Sequence, residues 1–410
     1  MVETEIAVIG AGPAAMTAAL EAASHGYETT LVAPTGTFVD GDDRTTALMM
    51  PAIAMLEAHG AWPQIVESAA PLKSMRIIDG TKRLVRAPTV TFEAAEIDEE
   101  AFGYNIPNRV LNEALANRLE NAPKIRRVDA MARSATFSRD HASISLDNDD
   151  TVNANLVIAA DGVDSVMRKA AGIDVRRWSY PQTAVVLSFS HTHGHGDTST
   201  EIHTETGPFT VVPMPGRRSS LVWVVTPQQA EKIIDTPPEE LAASIEEGMG
   251  SMLGRVFDIT KPQRWPLSGL IAHRFGANRL MLAGQTAHVF PPIGAQGLNL
   301  GMRDIADLGK CVAAAPSDPG APGVTARYDR LRRADVMSRT GAVDLLNRSL
   351  LTGFLPVQFA RAAGLGLISA VPPVRGLFMR EGMQPGWGFR ALAGLGEKFT
   401  ETGRAEQARS

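Results

Sequence analysis

Three glycine-bearing stretches hold most of the residues that could do chemistry in this chain. The longest, LAGQTAHVFPPIGAQGLNLG at residues 282–301, carries one histidine, His288, one amide at Gln285, and glycines at 284, 294, 297 and 301. Two chemistries fit it. Either His288 is a general base in an active-site loop, or the loop is a backbone cradle for a ligand that brings its own reactivity. The second stretch, GAGPAA at residues 10–15, has phosphate-turn spacing: Gly10 permits the tight turn, Gly12 lets backbone approach a pyrophosphate, and Ala14 and Ala15 keep the helix start small. The third, VIAADGVDSVMR at residues 157–168, puts Asp161 and Gly162 at the end of a buried run, where open α/β sheets deliver groups to a ligand.

Elements must hold these residues in place. Residues 6–9 read as a strand buried on both faces, 16–25 as an alanine-rich helix broken by Gly26, and 29–33 as a second strand. That order is a dinucleotide-binding unit. It lacks one part: the second strand ends in Ala33 where an acid normally holds a ribose hydroxyl, so backbone or water replaces the carboxylate, or adenosine is held less tightly. Arg44, just beyond, can reach a phosphate or the polar chain of a cofactor, or serve as surface. Asp164 and Ser165 read as a helix N-cap region. Residues 279–283 form another buried strand, and a helix starts near Leu298, so the glycine loop feeds a helix N-terminus with free N–H donors.

Residues 76–99 and 179–271 differ in texture, with short β-branched runs between Gly/Pro turns. The expected architecture is α/β: a Rossmann-like, discontinuous nucleotide-binding domain (1–75, 100–178 and 272–345), an inserted β-rich substrate domain (76–99 and 179–271), and a helical C-terminal segment (346–410). The net charge of −5 offers no basic face for nucleic acid. A single cysteine, Cys311, excludes an internal disulfide and a cysteine-rich metal site. The alternation of His191, His193 and His195 suggests a metal, but the glycines and Asp197 around it favour a solvated loop, and no metal is expected. The acidic start MVETEIAVIG does not read as a signal peptide, and a cytoplasmic protein is expected.

With GAGPAA, AADGVDSVMR and GQTAHVFPPIGAQGLNLGMRD in this order, the chain resembles the flavin-dependent aromatic hydroxylases of the p-hydroxybenzoate hydroxylase fold, over residues 1 to about 345. DDRTTAL, GPFTVVPMPGRRSSLVWV and NRSLL look like the ubiquinone-biosynthesis hydroxylases within that group. The resemblance implies FAD, O2, and NAD(P)H or another electron donor, with hydroxylation of a prenylated aromatic through a flavin hydroperoxide. It places Gly10, Gly12, Ala14, Ala15 and Arg44 on the dinucleotide. Asn108 falls near the cofactor, Asp161 and Gly162 at FAD and the nicotinamide donor, and Gly284 and Gln285 at the ribityl chain. Pro291, Gly294, Gly297, Leu298 and Asn299 line the isoalloxazine. Gln285 stands where the family has an aspartate, so it offers hydrogen bonds without charge. On this reading His288 shapes the loop and is at most a secondary catalytic candidate. Two other functions fit the same residues: a hydroxylase of a soluble aromatic, and a flavin-fold accessory subunit of a ubiquinone-biosynthesis complex without turnover. The apolar tail around 350–380 either packs as core or gives peripheral membrane contact at the inner face. In the second case Phe354, Leu355, Phe359, Leu365 and Leu367 meet lipid, with Arg361 and Arg375 near headgroups.

Overall fold

The computed structural model describes residues 1–35, 42, 44–82, 86–291, 296–351, 364, 366 and 371–383; Gly294, Phe354, Leu355, Phe359, Arg361, Leu365 and Leu367 lie outside them. The first sheet has the order Gly276–Ala277, Leu280–Leu282, Thr151–Ala159, Val2–Ile9, Thr29–Val32, Ile125–Val128, and all but the first of these run parallel. Its central strands are apolar on both faces because helices cover both sides: Ile6, Ala7, Val8, Val157 and Ile158 are wholly buried. Helix Pro13–Ser24 makes the crossover from Val2–Ile9 to Thr29–Val32, and its alanines pack it closely on the sheet. Ala132–Phe137 and Ala142–Leu146 hang on Thr151–Ala159 as an antiparallel hairpin.

The second sheet has the order His288–Val289, Gln263–Ala272, Val175–His191, Arg218–Val225, Pro208–Met214, Thr198–His203, Ser74–Asp79, Val90–Glu93. Its edge matters for the site. Ile271 pairs with His288 and Leu270 with Val289, so the glycine loop is stitched into this sheet. A small third sheet, Thr45–Met49, Gly103–Pro107 and Ala70–Pro71, bridges the two larger ones. Thr45 Oγ1 donates to Ser220 Oγ at 2.9 Å, and Asn105 Nδ2 donates to the Pro213 carbonyl at 2.8 Å. Gln296–Ala313 packs on Pro13–Ser24, and Pro322–Leu351 packs on Gln296–Ala313 and on strands Gly276–Ala277 and Leu280–Leu282.

Three expectations need correction. The histidine run is a loop from residue 192 to 197, with His193 exposed as expected, but His191 is not part of it. Strand Val175–His191 is seventeen residues long and carries His191 into the interior, with its ring nitrogens 2.6 Å from the His193 carbonyl and 3.0 Å from Ser219 Oγ. Among the described residues no cluster of three potential metal ligands occurs. At the helix Val166–Ala170, Ser165 is the N-cap as expected, accepting from Arg168 N–H. Asp164, however, turns outward to Arg177, and Asp161 takes the Val166 and Met167 N–H groups instead. Arg375 is not free for headgroups, because it pairs with Glu96. Its helix, Pro372–Met383, buries Met379 and Met383 against Val90 and Phe92 and leaves Phe378 exposed.

Gly10 is the tightest point of the first turn. It has φ +135°, and a Cβ there would lie 2.3 Å from the Ala160 carbonyl oxygen, a backbone atom that cannot swing aside. Gly10→Ala is therefore expected to lower unfolding free energy by about 1–3 kcal/mol, measured by urea denaturation of the cofactor-free protein.

Candidate cofactor and active site

Helix Pro13–Ser24 begins with no side-chain cap and no acid in its first turn, so its first N–H groups point at whatever approaches Gly12. Gly12 itself has an ordinary extended backbone (φ −79°, ψ 174°), and a Cβ there would meet nothing within 4 Å. No protein contact requires glycine at this place. Gly297, in the first turn of Gln296–Ala313, is the same: a Cβ meets nothing within 4 Å. Gly284 is different. It has φ +60° and packs against Ala14, while Gly301 lies 3.3 Å from Gly284 by the same measure. The two helix starts and the loop 284–291 are thus drawn together by small residues, with open space beside Gly12 and Gly297. The uncapped N-terminus of Pro13–Ser24, with such space beside it, suits an anion.

The loop is held by a buried carboxylate. Asp304 Oδ2 accepts from Gly284 N–H at 2.8 Å and lies 2.7 Å from His288 Nε2, and its Oδ1 accepts from Arg332 Nε at 2.6 Å. Arg332 also bonds Asp307 and lies 2.8 Å from Asp335. Burial pushes the Asp304 carboxyl up, but the His288 and Arg332 charges and the His288 and Gly284 hydrogen bonds outweigh it and hold it below the usual range. His288 is therefore a clamp: it is buried, bonded on Nε2, and stacked on Phe290 with ring centroids 5.4 Å apart.

Asp161 and Gly162 join the loop from the middle of the chain. Gly162, at φ +84°, donates its N–H to Thr286 Oγ1 at 3.0 Å, and Thr286 Oγ1 in turn donates to Asp161 Oδ1 at 3.3 Å. The buried Arg168 donates to the carbonyls of Thr286 and Val163. With Asp161 fastened to the helix N–H groups as well, this pair shapes the crevice wall.

On the other side, Arg44 makes a two-pronged pair with Asp42 at 2.7 and 2.8 Å and lies 4.8 Å from the Trp265 ring centre. Asn108 donates to the same Asp42 carboxylate at 3.3 Å and accepts from Thr46 at 2.6 Å. Arg44 and Asn108 are thus brought together, with Asp42 between them. Asn299 has both amide ends engaged, accepting from Met49 N–H and donating to the Ala47 carbonyl, each at 2.8 Å. Leu298 packs on the main core and Pro291 is buried. Gln285 is exposed at the end of the cradle. Asp304, Arg332, Thr286 and Asp42 were not singled out as site residues from the sequence. For Asp42 alone a local signal existed, two residues before Arg44.

Residues 3–340 match the FAD binding domain family. The chain is 32% identical over 388 residues to the ubiquinone hydroxylase UbiL of Rhodospirillum rubrum, covering 92% of this chain and 89% of that one. The chain belongs to the FAD-dependent hydroxylases. A second relative, the 3-demethoxyubiquinol 3-hydroxylase of Escherichia coli, is 29% identical, with 88% of this chain and 94% of that protein covered. The crystal structure of p-nitrophenol 4-monooxygenase PnpA from Pseudomonas putida shares the fold, with a TM-score of 0.72, 20% identity, and 93% and 97% of the two chains covered. FAD is the cofactor of this family, and the start of Pro13–Ser24 fits its diphosphate: the helix has no side-chain cap and no acid in its first turn, and a Cβ at Gly12 meets nothing within 4 Å.

Valine at Gly12 or Gly297 places its Cβ where no protein atom stands, at a propensity cost under about 1 kcal/mol. Both variants should melt near the parent temperature in the cofactor-free state yet lose most bound FAD, read from flavin absorbance after gel filtration. Full flavin occupancy in both would remove the cradle. Asp304→Asn takes from buried Arg332 the one wholly buried carboxylate among its three partners, Asp307 and Asp335 remaining, and should cost about 3–5 kcal/mol at neutral pH. Because the folded pKa of Asp304 is depressed, its contribution is present above the unfolded value of about 3.9 and is lost as pH falls through the folded pKa. The gap between parent and variant in urea titrations should therefore narrow in acid.

Proposed function

We propose that this FAD-dependent monooxygenase hydroxylates the aromatic ring of a polyprenylated phenol in ubiquinone biosynthesis. The observation that carries the reading is near-full-length similarity to hydroxylases whose names specify ubiquinone chemistry. When bound, FAD supplies the oxidising chemistry, taking electrons from a nicotinamide or other donor and passing one oxygen atom of O2 to an electron-rich ring. The chain supplies position and dryness. N–H groups at the start of Pro13–Ser24, with Gly12, Ala14 and Ala15, bind the pyrophosphate; Gln285 offers its amide to the ribityl hydroxyls; Pro291, Gly297 and Leu298 flank the ring system. Asn299 fixes the helix start to strand Thr45–Met49 through Met49 and Ala47. Arg44 gives up a partly exposed ion pair worth about 0–1 kcal/mol when a phosphate replaces Asp42. His288 moves no proton in this scheme; its ring Nε2, 2.7 Å from Asp304 Oδ2, holds the loop.

Among the described residues, no helix is long and apolar enough to cross a membrane. A substrate dissolved in lipid then has to be met at the surface, and peripheral contact through residues 350–380 suits it, with exposed Phe378 at one end.

Expression in a strain lacking a ubiquinone-pathway hydroxylase tests the reading. Restored quinone, measured by chromatography of lipid extracts, is expected from the parent chain. Phe354 and Phe359 changed together to serine should lower both liposome association and quinone yield, with FAD content unchanged. A parent protein that carries FAD yet restores quinone in no such strain overturns the substrate assignment; a protein that restores nothing and binds no flavin favours the accessory role.

A further inference from the structure

Dinucleotide folds grip the adenosine ribose with an acid at the end of the second strand, and here that position is Ala33, buried, with its N–H on the Val128 carbonyl at 3.1 Å. One strand further out the chain does present an acid at this edge. Val32 pairs in register with Val128, so both parallel strands, Thr29–Val32 and Ile125–Val128, end at the same side of the sheet. The glycine turn opens there too, with Gly10 N–H on the Val32 carbonyl at 3.0 Å. Asp129 leaves the outer strand at this point, and its carboxylate bends back over the end of the inner one. Thr35, two residues past Ala33, donates its N–H to one carboxylate oxygen and its hydroxyl to the other, each at 2.6 Å. Neighbouring strands lie about 4.8 Å apart, so an acid moved one strand outward and folded back by one side-chain length returns to the place an acid at 33 would serve.

The remaining chemistry is suitable. An ionised carboxylate has about four acceptor sites; Thr35 uses two, leaving one on each oxygen for a pair of neighbouring hydroxyls. Asp129 is exposed and so open to a ligand. The Thr35 hydroxyl and N–H hold its carboxyl below the usual range, so it is charged at neutral pH. We propose that Asp129, positioned by Thr35, accepts the adenosine ribose hydroxyls of FAD in place of the acid absent from the second strand. The proposal rests on the FAD assignment.

Flavin-fluorescence titration of the cofactor-free protein tests it with two ligands, FAD and FAD lacking the adenosine 2′-hydroxyl. The parent should bind the deoxy analogue about tenfold more weakly, a difference of about 1.4 kcal/mol. In Asp129→Asn that penalty should shrink to less than about threefold, and Ala33→Glu in the Asp129→Asn background should bring it back. Equal affinity of the parent for both ligands, or a penalty that survives Asp129→Asn unchanged, overturns the role of Asp129 and leaves the FAD assignment standing. A parent that binds neither ligand overturns both.

Discussion

Asp304 gathers three donors from two other parts of the chain: the Gly284 N–H and the His288 ring of one loop, and the Arg332 guanidinium of another helix. Its carboxylate has no exposure to solvent. A lone buried charge costs several kcal/mol after relaxation, so this one is tolerable only when all its partners are present. That requirement orders the assembly. Helix Pro322–Leu351 must dock to bring Arg332, helix Gln296–Ala313 must form to aim Asp304, and the loop must turn at Gly284 and enter the second sheet at His288. The shape of loop 284–291, which the proposed function sets against the flavin, is therefore held by a charge buried behind it.

The glycines sort the same region by cause. Gly10, Gly284 and Gly301 are small because protein presses on them, through the Ala160 carbonyl, Ala14 and each other. Gly12 and Gly297 face open space and have no such neighbour. The first group would be needed in any protein with this turn and helix packing. Only the second group leaves room for a ligand, and its two members stand at the starts of two helices with no acid in their first turns, the first of which also has no side-chain cap.

Local features were legible in the sequence because their causes are local. Apolar runs marked the parallel strands, Gly10 and Gly12 marked the phosphate turn, and the change to β-branched runs marked the second sheet. The long-range partners were not. Asp304 and Arg332 are 28 residues apart on different helices, and Asp161 meets Thr286 across 125 residues; no spacing in the sequence records either meeting. The histidine run shows the opposite error. Its glycines suggested an exposed hairpin, yet strand Val175–His191 runs on to His191, and its last ten residues are buried on both faces except for half-buried Val186; the exposed loop begins only beyond it. Asn299 lines the ring by resemblance, and its amide also ties Met49 and Ala47 across 250 residues or more, a link no spacing records.

Taken together, the charges near the cradle are few and already engaged. Arg44 is answered by Asp42, Arg168 sits on two carbonyls, and Gln285 replaces an acid with a neutral amide. The attraction for the diphosphate then falls mainly on fixed backbone dipoles, whose effect is confined to the first helical turn. Such a site gains less from long-range steering than one lined by free arginines. It depends more on shape, and shape here is set by the Asp304 clamp and by the absence of side chains at Gly12 and Gly297. On the proposed reading the anchoring of FAD is thus tied to the stability of the loop, and a variant that breaks the buried charge network is expected to lose cofactor as well as stability.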